Sequence, residues 1–277
     1  MDLRGGSFLY AHALDKAHGN VQFISETLLT YQVSGVTHIS SEQEKIILNE
    51  GQLILARRNQ LVKSTKIPVG NKKYQCVSVI LTSDVLQQFA LGNGIECADR
   101  YAGEKLILME PNDFLKKYFC SLMSYAELWN NKSGKLATLK VNEAIELLLQ
   151  MRPDLKSFLF DFVEPQKQDL KKFMRRSFRY NVSIRHFAKL SGRSLTSFKR
   201  DFAEVFDTSP ALWLKNQRLS EAFNLIKDRN RKPEDIYHDL GFENLSHFYT
   251  AFKHRFGITP SQVRSTATSN KAHAAIL

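Results

Sequence analysis

From Ser183 to Phe206 the apolar positions recur at steps of three and four, break at a glycine, and start again. Ile184, Phe187 and Leu190 fall on one face of a first helix. Leu195, Phe198 and Phe202 fall on one face of a second, with Lys199 and Arg200 turned away from it. Gly192 sits where the chain must change direction, and Ser194 is placed to cap the second helix. The pattern returns over Ile236–Phe256, with Ile236 and Leu240, a turn at Gly241, then Phe248 and Phe252. Phe198 and Phe202 map onto Phe248 and Phe252 at an offset of 50, while positions before the turn map best at 49. The second turn is therefore one residue longer, and the spacing predicts paired helix-turn-helix units at 183–206 and 233–256.

Two short helices joined by a Gly-containing turn form the arrangement whose second helix enters the DNA major groove. A single helix starting near Pro210 joins the units, Pro suiting the first helical turn, and Leu212, Leu219, Ala222, Phe223 and Ile226 give its apolar face. It spans on the order of 25 Å at 1.5 Å per residue. Major grooves recur on one side of DNA at about 34 Å, so a rigid strut of this size can set both reading helices on one side of a duplex. Asp169–Phe178 opens this region, with Leu170, Phe173 and Met174 inward and Lys171, Lys172, Arg175 and Arg176 outward. Phe256, Ile258 and Pro260 close its core around a turn at Gly257, and residues 265–277 lack a period and read as a disordered tail.

The first half of the chain has a different period. Residues 1–20 read as an arm or a short edge strand. From Val21 to Val79, β-favouring runs (TLLTYQV, VTHIS, KIILNEGQLILA, YQCVSVIL) alternate with turn signals at Gly35, Asn49-Glu50-Gly51, Pro68 and Gly70-Asn71. Such spacing predicts an antiparallel sheet, sandwich or barrel. A short helix over Ser83–Leu91 and a last strand over Lys105–Met109 follow. Asp113–Asn130 then places Phe114, Tyr118, Leu122, Tyr125 and Trp129 at helical steps, and Leu136–Met151 does the same with Leu136, Val141, Ala144, Ile145, Leu148 and Leu149. The short turn at Asn130–Gly134 makes these helices an antiparallel hairpin over 113–151. Either it simply covers the sheet or it is a dimerisation surface. Pro153–Gln168 is the joint, and Phe158, Phe160, Phe162 and Val163 are too apolar for a free linker. The fold class is α+β in two domains, a β-rich one over 1–160 and an all-α one over 165–264.

Charge separates the halves. The net +11 lies entirely in residues 165–277, with 21 Lys/Arg against 10 Asp/Glu, while residues 1–164 balance at 18 of each. A basic module beside a neutral one points to a polyanion-binding domain with a separate regulatory domain. No 18-residue apolar run and no signal-like start occur, so a cytoplasmic protein without a membrane partner is expected. Cys76, Cys97 and Cys120 show no CxxC spacing and read as buried reduced thiols, not as a disulfide or zinc framework.

Residues 165–264 resemble the DNA-binding region of the AraC/XylS transcription regulators. The first helix-turn-helix, then TSPALWLKNQRLSEAF (Thr208–Phe223), then DLGFENLSHFYTAFKHRFGITPSQVR (Asp239–Arg264) carry the likeness. It implies double-stranded DNA as partner, activation through RNA polymerase, a cupin-like N-terminal β-domain, and a homodimer through the 113–151 hairpin. Thr196, Lys199 and Arg200 are by resemblance the positions that meet base edges, with Ser246, Tyr249 and Thr250 their counterparts. The wider DNA-binding set is Arg193, Ser194, Thr196, Ser197, Lys199 and Arg200 in the first unit, and Asn244, Ser246, His247, Tyr249, Thr250 and Lys253 in the second. Arg200 or Lys199 is suited to guanine O6 and N7, and Thr196 to a thymine methyl. A solvated or phosphate-binding role remains the alternative for each basic residue. The family often carries Arg where Thr250 stands and a small residue where Tyr237 stands, which suggests that the second unit reads sequence less strictly.

Catalysis finds no support, since GxSxG, HExxH, P-loop and GxGxxG patterns are absent and the eight His lack ligand spacing. No cofactor or metal is expected. RNA binding lacks an aromatic strand motif for stacking bases. Whether a small-molecule or protein effector acts on the N-terminal domain stays open. Arg57 and Arg58, if adjacent on a strand, point to opposite faces and cannot share one pocket.

Overall fold

The computed structural model describes residues 2–4, 7–41, 44–96, 100–125, 134–163 and 166–265. The predicted tail beyond residue 265, residues 130–133 of the predicted hairpin turn with Trp129 before them, and Cys97 lie outside the described residues. The chain divides into two compact units, Met1–Glu164 and Pro165–Leu277.

Among the described residues the first unit contains ten strands: β1 (Asp2–Arg4), β2 (Phe8–Ala13), β3 (Ala17–Ile24), β4 (Thr27–Ser34), β5 (Val36–Ser40), β6 (Lys45–Leu48), β7 (Leu53–Ala56), β8 (Gln60–Ile67), β9 (Tyr74–Leu81) and β10 (Leu106–Met109). They form a six-stranded sheet, β1-β2-β9-β4-β7-β10, and a four-stranded sheet, β3-β8-β5-β6. Every pairing is antiparallel. Residues 1–20, expected as an arm or edge strand, instead supply β1, β2 and the start of β3, and β2 pairs along its whole length with β9. Phe8, fully buried against Leu29, Val79 and the helices, anchors this segment. Strand β8 was hidden because STK in its middle interrupts the apolar run.

Strand β7 shows why the sheet has two interiors. Its side chains alternate, Leu53 and Leu55 entering the main core while Ile54 and Ala56 enter a second cluster with Ile24, Leu48, Val62 and Leu106. The main core lies between the large sheet and the helices α1 (Ser83–Gly92), α2 (Asp113–Tyr125) and α3 (Gly134–Met151). Helices α2 and α3 touch through the Tyr118 hydroxyl, which donates to the Lys140 carbonyl at 2.8 Å. Their apolar stripes differ from expectation at the edges. Phe114 is 69% exposed and Leu136 40%, because Leu115, Phe119 and Ala137, one position round each helix, take the buried places.

Phe158 and Phe160 are buried around the short helix α4 (Lys156–Leu159), as their apolarity demands, while Val163 is exposed. Arg57 and Arg58 lie in the β7–β8 turn and not on a strand, with Asn59 in the left-handed region at φ 59°. Strand alternation therefore does not separate them, and both reach Asp161. Arg57 pairs with its carboxylate, and Arg58 donates to its carbonyl at 3.0 Å. The pair latches the end of this unit to its sheet. Cys76 is buried, but Cys120 is exposed on α2, against the expectation of buried thiols.

The second unit comprises α5 (Leu170–Ser177), α6 (Ile184–Leu190), α7 (Leu195–Phe206), α8 (Pro210–Arg229), α9 (Pro233–Ile236) and α10 (Leu245–Phe256), and residues 260–265 are also helical. Helix α8 serves two cores. Leu214 packs with Phe173, Phe187, Phe198 and Phe202, whereas Leu219, Ala222 and Ile226 pack with Ile236, Leu240, Phe248 and Phe252. Leu214 and Leu219 are five residues apart, about 140° round a helix. The buried stripe thus changes side along α8, which is why Leu212, assigned to a single face, is 51% exposed. Ile258 is likewise 41% exposed, and Val263 fills the core position expected of it.

Candidate nucleic-acid interface

The turns of the two helix-turn-helix frames carry equivalent backbone hydrogen bonds. In the first turn Gly192 N–H donates to Lys189 O at 3.1 Å and Arg193 N–H to Ala188 O at 3.0 Å. In the second, Gly241 N–H donates to His238 O and Phe242 N–H to Tyr237 O, both at 3.0 Å. These pairs are related by 49 residues. Both glycines are left-handed, at φ 71° and φ 80°, where a Cβ would be strained. The helix caps are related by 50 instead. Ser194 Oγ accepts from Ser197 N–H at 3.2 Å, and Asn244 Oδ1 from His247 N–H at 2.7 Å. The extra residue of the second turn is therefore Glu243, between Phe242 and Asn244.

Behind each reading helix the aromatic packing also repeats. Phe198, Phe202 and Phe206 run along α7, with centroids 5.6 and 4.4 Å apart, and Trp213 of α8 closes the group. Phe248, Phe252 and Phe256 run along α10 at 5.7 and 4.7 Å, with Phe223 of α8 in the closing place. Burial of one face leaves the opposite one outward. Thr196, Lys199 and Arg200 are exposed on α7, and Ser246, His247, Thr250 and Lys253 on α10.

Besides the caps Ser194 and Asn244, and Arg200, whose Nη2 donates to Asp201 Oδ1 at 3.2 Å, three more of the sequence-derived positions are engaged within the fold. The Arg193 side chain is 9% exposed; its Nε donates to Asp201 Oδ2 at 2.9 Å and its Nη1 to the carbonyls of Gln168 and Ser191. Arg193 thus holds the turn and α7 together instead of projecting outward. Ser197 is half-buried, its Oγ 3.5 Å from the same carboxylate. The Tyr249 hydroxyl lies 3.4 Å from Glu234 and 3.1 Å from Ser261. The Arg193 guanidinium is the main cause that holds the Asp201 carboxyl below the usual carboxylate range, and Arg200 adds to it.

The second frame is weaker at its first helix. Ala188, which is buried, corresponds to Tyr237, which is half-buried with its ring edge-on to His238. Helix α6 runs for seven residues, whereas α9 runs for four and passes into a turn. Tyr237 keeps helical backbone angles, and its N–H still donates to Pro233 O at 3.1 Å, while its ring packs at the edge of the second core. Helix α5 exposes four more basic residues, Lys171, Lys172, Arg175 and Arg176.

Arg218, in the middle of α8, was not singled out by the sequence pattern, because a lone arginine in a linker helix looks like a solvated charge. Its Nε donates to Phe178 O at 2.9 Å, Nη2 to Tyr180 O at 2.7 Å and Nη1 to Gly241 O at 3.3 Å. Burial lowers its pKa. Among the described residues, no group of three or more His, Cys, Asp or Glu is placed to hold a metal ion, and no helix is long and apolar enough to cross a membrane.

Residues 187–266 match the family described as a helix-turn-helix domain, and residues 27–158 match the ExsA N-terminal regulatory domain. The chain is 28% identical over 225 residues to the HTH-type transcriptional regulator ExsA of Pseudomonas aeruginosa, covering 78% of each. It is 34% identical over 100 residues to the virulence regulon transcriptional activator VirF of Yersinia enterocolitica, covering 36% of this chain and 37% of that one. Among solved structures, ToxT of Vibrio cholerae aligns over 95% of this chain and 99% of its own, at 17% identity and a TM-score of 0.37. The DNA-binding domain of AdpA in complex with a target DNA aligns over 37% and 96%, at 18% identity and a TM-score of 0.35. The chain thus carries an AraC-type helix-turn-helix domain towards its C-terminus and an ExsA-type regulatory domain before it, the arrangement of an AraC-family transcription regulator.

Proposed function

We propose that this protein is a sequence-specific transcription activator that reads an asymmetric duplex DNA site through α7 and α10 in successive major grooves. The observation that carries the reading is the repeated frame, in which equivalent hydrogen bonds and aromatic cores leave Thr196, Lys199 and Arg200 outward on one helix and Ser246, Thr250 and Lys253 outward on the other. Helix α8, at 20 residues, is about 30 Å long at 1.5 Å per residue, close to the roughly 34 Å between grooves on one side of B-DNA.

Arg200, with 69% of its side chain exposed, is the main base-reading group, and Lys199 and Lys253 hold phosphates. Ser194 and Asn244 act as caps, and Arg193 and Tyr249 as braces behind the reading surface. The second unit contributes less discrimination, since Thr250 has no bidentate donor to offer a guanine. The β-rich unit is the regulatory domain and receives a small-molecule or protein effector. Exposed Phe114, Leu136 and Leu139 on α2 and α3 support a homodimer through this hairpin. Contact with RNA polymerase completes activation, and the protein works in the cytoplasm, where its DNA lies.

Mapping the genomic sites bound in the cell by the wild type and by Arg200→Ala tests the reading. The wild type should occupy a discrete set with a common bipartite motif, and the variant should lose discrimination at one base pair of one half. Diffuse occupancy without a shared motif would refute it.

A further inference from the structure

The Arg218 side chain ties the loop that packs on the first core to the turn of the second helix-turn-helix. Two of its three hydrogen bonds go to the loop between α5 and α6, at Phe178 O and Tyr180 O, whose side chains pack on the core behind the first frame. The third goes to Gly241 O, in the turn of the second. The same glycine is left-handed, and a Cβ there would lie 2.8 Å from the Arg218 guanidinium carbon, so the turn approaches the guanidinium as closely as the backbone allows. Among the described residues no carboxylate pairs with Arg218; three carbonyl oxygens accept from it, and a planar five-donor fork is what can satisfy carbonyls on two sides at once. The grip sits between Leu214 and Leu219, where α8 turns its buried stripe from the first core to the second. Other ties on α8 reach one frame each: Arg179 pairs with Glu221 at 2.5 Å, and Arg255 donates to Ser220 at 3.1 Å.

We propose that Arg218 is a positioning residue for DNA specificity: it fixes the distance and rotation between α7 and α10, and so makes the protein measure the spacing between the two halves of its site. The proposal rests on the bipartite reading above. One inserted base pair displaces the far half-site by about 3.4 Å and turns it by about 34°. Reading helices held both by their packing on α8 and by Arg218 cannot follow that change, whereas a pair held by the packing on α8 alone yields to it more easily.

The test uses the full-length protein and a duplex selected by the wild type from a randomised pool. Affinity is measured for the selected duplex, for the same duplex with one base pair inserted or deleted between the halves, and for duplexes with either half scrambled. The wild type should lose about tenfold or more on insertion or deletion, of the order set by one lost base contact. Arg218→Lys keeps the charge and the stem but cannot bridge both frames. Its penalty for altered spacing should fall to about two- or threefold, with half-scrambled duplexes bound as by the wild type. Arg218→Ala should behave the same way or more strongly, and circular dichroism melting monitors its fold.

If Arg218→Lys keeps the full spacing penalty, or if all duplexes weaken alike while the penalty persists, Arg218 is a structural residue only and the proposal is wrong. A wild type without any spacing penalty would instead overturn the bipartite reading, and the proposal with it.

Discussion

Arg193 closes the first helix-turn-helix by an ion pair with Asp201, Nε to Oδ2 at 2.9 Å, where the second unit uses an apolar contact. The counterpart of Arg193 is Phe242, whose ring lies edge-on to Phe248 at 5.1 Å, and the counterpart of Asp201 is Ala251. One frame is thus locked by charge and the other by packing, although their backbone bonds coincide. Arg193→Ala should cost about 1–2 kcal/mol, since both partners are mostly buried and the turn carbonyls of Gln168 and Ser191 lose a donor. DNA affinity should fall for every sequence alike while the preferred motif stays the same. Thermal melting and site selection on the variant measure the two effects.

The same pair sets a pH dependence. Asp201 is held below the usual carboxylate range chiefly by its hydrogen bond from Arg193. A depressed folded-state pKa gives stability that is present above the unfolded value and lost as pH falls through the folded one. The gap in melting temperature between wild type and Arg193→Ala should therefore be constant from neutral down to about pH 5 and close below about pH 3. A gap that widened on acidification would contradict the assignment.

Phe198 and Phe248 are both fully buried behind their reading helices. Truncating either to Ala should cost about 3–5 kcal/mol. Because Phe198 belongs to one core and Phe248 to the other, each loss should start in its own half. Amide hydrogen exchange should show Phe248→Ala exposing α9 and α10 first, with α6 and α7 less affected.

The helical half was the more legible in sequence because its period is local. Phe198, Phe202, Phe248 and Phe252 repeat at four residues, and both turns carry the glycine they require, so even the one-residue difference between the units was visible and is now placed at Glu243. What stayed hidden depends on distant partners. Leu212 looks like a core residue until the buried stripe of α8 changes side, and Arg218 has no signal until Phe178, Tyr180 and Gly241 come together around it. Arg193 was read as a DNA contact because a basic residue beside a reading helix looks the same whether it faces outward or pairs with Asp201. In the β-rich half, residues 1–20 carry only the hint of an arm or a short edge strand, because pairing with β9 and β8, and not local periodicity, holds β2 and β3 in the sheets.

Arg200 and Thr250 occupy equivalent places on α7 and α10, so they offer a reciprocal test. Arg200→Ala should lose about 1–3 kcal/mol of discrimination at one base pair. Thr250→Arg should gain specificity for a guanine in the other half, because the position is exposed and a fork donor can reach O6 and N7. Site selection with each variant reads both outcomes, and a Thr250→Arg motif unchanged from wild type would show that α10 does not face the bases.

Charge partition fixes the last expectation. The excess of +11 lies wholly after residue 164, so the neutral first unit should add little to the electrostatics of DNA binding. The affinity of the full chain should fall steeply with salt, with a logarithmic slope of about −0.9 for each phosphate neutralised. The fragment Pro165–Leu277, which has its own two cores, should bind duplex DNA with nearly the same slope. Lys199→Ala or Lys253→Ala should reduce that slope by about one and leave the sequence preference alone. A flat salt response of the fragment would mean that its basic surface, α5 included, faces something other than the phosphate backbone.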